Sequence, residues 1–182
     1  MQGIRQLETA LHEQRETCGN LFSIADLNMI LPHLDAGAFR AVLWRAEKAG
    51  LLKRVCRGLY TYSRIPMLQG LVLYRAVSKL RPLCMNYLSL ESVLSDAGVI
   101  SQVPMNWVSL MSSGRSHVVD CGDYGHIEFV HTAQRPDDVA GELVYDPARR
   151  LWRASVRQAL RDMKATRRSL ELVDEEVLHE LV

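Results

Sequence analysis

Lys48, Lys53, Arg54 and Arg57 fall within ten residues, in the stretch EKAGLLKRVCRGLYTY, and Glu47 is the acidic residue beside them. Arginine can donate two bonds to guanine O6 and N7, and lysine or arginine can neutralise a phosphate, so the chemistry on offer is nucleic-acid recognition. Arg40 and Arg45, just upstream, extend it. The competing reading of the stretch is a solvated hairpin.

These side chains matter only if local structure gathers them. Asp35 is a candidate N-cap for a helix in which Phe39, Val42, Leu43, Ala46 and Ala49 form one apolar face, and Gly50 supplies the stop. Gly37, Ala41, Trp44 and Lys48 lie opposite that face, with Arg40 and Arg45 at its borders. Small residues on that side admit close approach to a base edge, while an exposed Trp44 is equally explained by packing against another domain or subunit.

Two further helices precede this one. Ile4, Leu7 and Leu11 recur at helical spacing, with Gly19 as a stop, and SIADLNMIL begins on Ser23 and Asp26, the spacing of a capping box, before Pro32 ends it. After the third helix, LLKRVCRGLYTY reads as two strands joined at Arg57-Gly58, with Lys53, Arg54, Arg57 and Arg64 unaccompanied by acid. Helix, helix, helix, hairpin is the order of a winged helix-turn-helix, expected over residues 1–65.

Pro66 marks the expected boundary to a second α+β domain, residues 66–182, ending in helices. LQGLVLYRAVSKL reads as a helix ending before Pro82, with Arg75 and Lys79 on one face. SLESVLSDAG reads as a short helix capped by Ser89, with Glu91 in its first turn and Gly98 as its stop. WVSLMS alternates as a strand does, and HVVDCGDYGHIEFVHT gives two more strands around a Gly-Asp-Tyr-Gly turn. From Pro147 to Leu170 the pattern predicts one long basic helix, followed by the acidic LVDEEVLHELV with Asp174 capping a last helix. On that long helix Arg150, Arg153, Arg157, Arg161, Lys164 and Arg168 share one arc, a second basic face, beside an apolar arc of Trp152, Val156, Ala159, Leu160 and Met163.

Composition bounds what else the chain could be. With 182 residues, 48% hydrophobic and 24% charged, it has the makeup of a folded globular protein, and a formal charge of +1 leaves any polyanion site to local clustering. Cys18, Cys56, Cys84 and Cys121 never approach C-x-x-C spacing, which argues for free thiols in a reducing, cytoplasmic setting rather than a zinc knuckle or disulfide framework. No apolar run approaches the roughly 20 residues of a membrane span, so no membrane partner is expected. Asp120, Asp123, His126, Glu128 and His131 invite a metal or acid-base reading, but the two aspartates suit a turn for backbone reasons. No phosphate loop, nucleophile elbow or H-E-x-x-H motif is present, so neither enzymatic activity nor a metal or cofactor is expected.

Two stretches, FSIADLNMILPHLDAGAFRAVLWRAEKAGLLKRVCRGLYTY and YLSLESVLSDAGVISQVPMNWVSLMSSGRSHVVDCGDYGHIEFVHT, together resemble the AbiEi family of bacterial antitoxins and transcriptional regulators of type IV toxin-antitoxin systems. The resemblance covers residues about 20 to 175, including the RRSLELVDEE close, with SLESVLSDAGVISQVP its more specific part and GHIEF a strand like the family's. It implies a DNA-binding antitoxin that represses its own operon at inverted repeats on double-stranded DNA. It also implies a counterpart, a nucleotidyltransferase-like toxin, opposed functionally rather than through a stable complex. Arg40, Arg45, Lys48, Arg54 and Arg57 match the positions where such a domain would meet DNA, and the basic C-terminal segment matches a second positive face. The alternatives are a stand-alone winged-helix regulator and a protein-interaction module that uses the basic C-terminal helix.

Overall fold

Helices form where local capping and apolar spacing agree. In the computed structural model, which describes residues 2–18, 20–65, 67–101, 106–171, 173, 174, 176 and 177, α1 spans Gln2–Cys18 and buries Leu7 and Leu11 completely. Helix α2 (Ile24–Ile30) opens with a reciprocal capping box: the Asp26 N–H donates to Ser23 Oγ at 3.1 Å, and the Ser23 N–H donates to Asp26 Oδ2 at 2.7 Å. Helix α3 (Ala36–Lys48) is capped by Asp35, whose Oδ1 accepts from the Gly37 and Ala38 N–H groups at 2.7 and 2.8 Å. Its buried face is Phe39, Val42, Leu43 and Ala46, as the periodicity predicts.

The strand β1 (Leu21–Ser23) is not anticipated by the sequence pattern, because three residues are too few to display an alternation. It becomes a strand by pairing with β3 (Leu59–Tyr62), which also pairs with β2 (Leu52–Cys56), giving an antiparallel sheet in the order β1-β3-β2. Gly58, at φ +81°, closes the β2–β3 turn in a conformation that disfavours a side chain. The Ile24 N–H donates to the Gly58 carbonyl at 3.0 Å, which ties this turn to the start of α2.

The rest of the chain builds a second, six-stranded sheet beneath helices. It comprises α4 (Gln69–Leu80), β4 (Asn86–Leu88), α5 (Leu90–Asp96), β5 (Trp107–Ser112), β6 (His117–Asp120), β7 (His126–His131), α6 (Pro136–Val139), β8 (Leu143–Asp146), β9 (Leu151–Ala154) and α7 (Val156–Ala165). Strand order is β6-β7-β5-β4-β9-β8, with β5·β7 and β4·β9 parallel and the other neighbours antiparallel. The whole is a mixed α+β fold with two sheets. Gly125 permits the turn into β7, since a Cβ there would stand 1.9 Å from the Asn106 carbonyl oxygen.

Two expectations are corrected here. The long basic helix predicted from Pro147 to Leu170 is a hairpin, β8–β9, followed by the shorter α7. Asp146 Oδ1 accepts from the Ala148 and Arg149 N–H groups at 2.9 and 3.0 Å, an aspartate turn that reverses the chain where the pattern suggested continuity. Ser89 does precede α5, but its hydroxyl makes no cap bond; it donates instead to Asp162 Oδ2 at 2.6 Å. Asp162, fully buried on α7, also accepts from the Gln134 and Gln158 side-chain amides, so this carboxylate docks α7 onto α5.

The hydrophobic core has two parts. One lies among α1, α2, α3 and the inner face of the first sheet, around Phe22, Leu27, Leu43 and Tyr60. The other surrounds the second sheet and takes in Leu21, Val55, Cys56 and Leu59 from the opposite face of the first. The two units are therefore fused through α4, and Lys79 on α4 bonds Asp26 Oδ2 at 2.8 Å. Among the described residues no helix is long and apolar enough to cross a membrane. The expected stop at Gly19, the boundary at Pro66 and all of the helix after Asp174 except Glu176 and Val177 lie outside the described residues; those two are helical, and Asp174 Oδ1 accepts from their N–H groups.

Candidate nucleic-acid interface

Burial of one face of α3 leaves the other in water. Arg40, Ala41, Trp44, Arg45 and Lys48 are all exposed, Trp44 by 60%. The Lys48 Nζ lies 5.9 Å from the centroid of this indole. Arg45 curls along its own helix, its Nε donating to the Ala41 carbonyl at 3.1 Å.

A groove of about 710 Å³ runs between this face, the start of α2 and the β2–β3 turn. Arg40, Trp44, Arg54 and Arg57 line it, together with Asn28 and Tyr60. Among the described residues Arg40 and Arg57 have no ion-pair partner, and both are exposed. Arg54 differs: its Nε and Nη2 meet the two oxygens of Glu47 at 3.1 and 3.2 Å. The Tyr60 phenol and the Glu47 carboxylate together hold the Arg54 guanidinium above its ordinary pKa. Glu47 and Tyr60 are thus parts of the groove that the charge pattern did not single out, and the register Arg54↔Tyr60 is the signal that would have found the second.

Lys53 is not brought to this groove. Adjacent strand residues point to opposite faces, so Lys53 leaves from the other side of the sheet and meets Asp123 at 3.1 Å, with its Nζ 5.0 Å from the Tyr124 ring centroid. The bond to Asp123 and the phenol of Tyr124 raise its pKa.

The second basic face predicted on the tail is divided among three elements. Arg150 sits in the β8–β9 turn, and Arg153, on β9, places its Nε 3.9 Å from Asp96. Arg157, Arg161 and Lys164 are on α7, where Arg161 reaches Glu142 at 3.3 Å. Arg168 lies beyond α7 and is held by Glu91 at 2.8 Å and by Glu128. Arg149, missed by the helical wheel, bonds Asp96 at 2.6 Å and stacks 4.6 Å from the centroid of Tyr74.

Of the Asp120–His131 group only Asp120 and His126 stay together, His126 Nε2 lying 3.9 Å from Asp120 Oδ1 across β6 and β7, and the rest disperse. Asp120 accepts from the Gly122 N–H, Asp123 faces Lys53, Glu128 faces Arg168 and Ser109, and His131 Nδ1 contacts the Gly114 carbonyl. Among the described residues no three such side chains converge as metal ligands. No protein-family model matches the chain, and no curated protein matches it.

Proposed function

We propose that the protein is a DNA-binding repressor of the winged-helix type, in which α3 enters the major groove and the β2–β3 turn contacts the backbone beside it. The observation that carries this reading is the groove that sets Arg40 and Trp44 of α3 beside Arg57 of the turn, two of them cations without an ion-pair partner among the described residues. Such charges, unpaired on one surface, remain available to a polyanion, which would release counterions on meeting them. The element order α1, β1, α2, α3, β2, β3 supports the same assignment, since a short helix, a turn and a second helix with an outward face of small and basic residues is the geometry a reading helix needs.

On this reading Arg40 and Arg45 read base edges, Lys48 and Arg57 meet phosphates, and Arg54 is a weaker contributor because Glu47 already occupies it. A gel shift with the DNA upstream of the protein's own gene tests the proposal: retardation is expected at low salt. About six phosphate contacts would lower affinity by about a thousandfold between roughly 50 and 200 mM salt. No retardation at low salt, or a flat salt dependence, overturns it.

The antitoxin role rests on the family resemblance of residues about 20 to 175. Co-expression with a nucleotidyltransferase-like toxin encoded beside it should restore growth. Variants at Arg40 and Arg57 that lose DNA binding but retain rescue would place antitoxicity outside the groove. The protein-interaction reading through a basic tail helix is not favoured, because Arg153, Arg161 and Arg168 are already paired with carboxylates of this chain.

A further inference from the structure

A cavity of about 600 Å³ opens between α4, the segment that follows it and the β8–β9 hairpin, far from any role in the groove described above. That volume lies within the range of roughly 300–1,000 Å³ typical of small-molecule sites. Val77, Met85, Leu143 and Leu151 give it apolar walls, and Trp152, 49% exposed, stands at its rim edge-to-face with Tyr145 at 5.4 Å. An indole left half in water beside an apolar cavity presents a stacking face to an occupant.

Two arginines line the same cavity, Arg81 and Arg150. Arg81 is half-buried; its guanidinium lies 3.9 Å from the Phe129 ring centroid, and its Nη1 donates to Ser112 Oγ at 3.1 Å. Burial holds it below the ordinary arginine pKa, and no carboxylate of the described residues pairs with it. Arg150 sits in the hairpin turn at φ +54°, a left-handed conformation disfavoured for a residue with a side chain, and it too lacks an ion pair there. The contrast with their neighbours is sharp, because Arg149, Arg153, Arg161 and Arg168 each meet a carboxylate. The Phe129 ring and the Ser112 hydroxyl stabilise the Arg81 cation without neutralising it, and an anion in the cavity that Arg81 lines would supply the counter-charge.

We infer that this cavity binds a small organic anion, a carboxylate or sulfonate on a ring-sized apolar body, with Arg81 and Arg150 holding the charge and Trp152 stacking on the body. The probes are 1-anilinonaphthalene-8-sulfonate and its neutral counterpart, N-phenyl-1-naphthylamine, titrated into the full chain while energy transfer from tryptophan is followed. The sulfonate is expected to bind at about one equivalent and about tenfold more tightly than the neutral amine. Trp152→Phe should reduce the transfer and weaken both probes alike, with Trp107, two strands away on β5, remaining as a donor. Arg81→Gln should weaken the sulfonate about tenfold and leave the neutral probe unchanged. Should Arg81→Gln fail to fold, Arg150→Gly, which fits the left-handed turn, should weaken the sulfonate about threefold.

Equal affinity of the wild-type chain for the two probes overturns the inference, as does indifference of the sulfonate to whichever arginine variant folds. Sulfonate binding that falls as protein concentration rises would show a second copy closing the cavity, and it would overturn the inference as well.

Discussion

The chain carries two clusters of arginine and lysine that look alike in sequence and differ in what surrounds them. In the first, Arg40 and Arg57 stand in water beside a groove and make no ion pair with a described residue, the groove's one carboxylate, Glu47, being taken by Arg54. In the second, Arg149, Arg153, Arg161 and Arg168 are engaged by Asp96, Glu142, Glu91 and Glu128. A cation paired within the fold contributes to its stability; a cation left unpaired costs little at the surface and remains available to a partner. The difference between the two regions is one of counter-charge placement, which no count of basic residues reveals.

The largest effect should come from the paired region. Arg168→Met leaves Glu91 and Glu128 facing each other without their cation, half-buried, and should destabilise the fold by about 3 kcal/mol in urea unfolding while leaving DNA affinity per folded molecule unchanged. Burial pushes the Glu128 carboxyl up, and the bonds from Arg168, Ser109 and Trp107 more than offset it, so removing Arg168 should also raise the Glu128 pKa. A stable variant would dissolve the distinction drawn between the clusters.

In the unpaired region Arg45→Ala should cost about 2 kcal/mol of discrimination at one operator position, read by competition between cognate and mutated sites, with stability within about 0.5 kcal/mol of wild type. Uniform weakening across all sequences would instead make Arg45 a phosphate contact.

The junction between the regions should show itself in acid. Burial pushes the Asp26 carboxyl up, but the bonds from Lys79 and from the Ser23 N–H and hydroxyl outweigh it and hold the pKa below the ordinary value of about 3.9. A depressed carboxylate gives its full stabilisation above that ordinary value and loses it as pH falls through the lower folded value. Unfolding free energy should therefore drop below about pH 4, and Lys79→Met should lower stability by about 1 kcal/mol at neutral pH and make the acid limb shallower. An unchanged acid limb would remove the Asp26–Lys79 bond from the account.

The smallest effects separate Arg57 from Lys53, four residues apart in sequence. Arg57→Ala should reduce the slope of log affinity against log salt by about 1 and weaken all sequences alike. Lys53→Ala should leave that slope unchanged, since its ammonium faces Asp123 on the far side of the sheet. Equal slopes for the two variants would mean the groove is not where DNA sits.

Much of the N-terminal unit was legible because its signals are local. A cap at Asp35, a capping box at Ser23 and Asp26, and an apolar residue every third or fourth position specify a helix whatever surrounds it, and the exposed face of α3 follows from the buried one. The hairpin at Arg57-Gly58 was legible for the same reason. Strands β1 and β4, three residues each, were not, because a segment that short acquires its conformation from the partner it pairs with. The β8–β9 hairpin was misread because its arginines, Arg149 and Arg150 in the turn and Arg153 on β9, fall at spacings that satisfy a helical wheel, and a four-residue strand is too short to display its alternation.

By itself, then, the sequence determined which segments carry charge, where three of the helices begin, and that the chain folds around an ample apolar core. Tertiary structure alone decided which charges remain unpaired. Lys53 and Arg54 are neighbours in the chain, yet the pleat sends one to Asp123 and the other to Glu47. Arg168 meets Glu91, 77 residues away, only because α5 and the end of α7 pack together. Electrostatic availability depends on distances of a few ångströms between groups far apart in sequence, and those distances exist only once the sheets have formed.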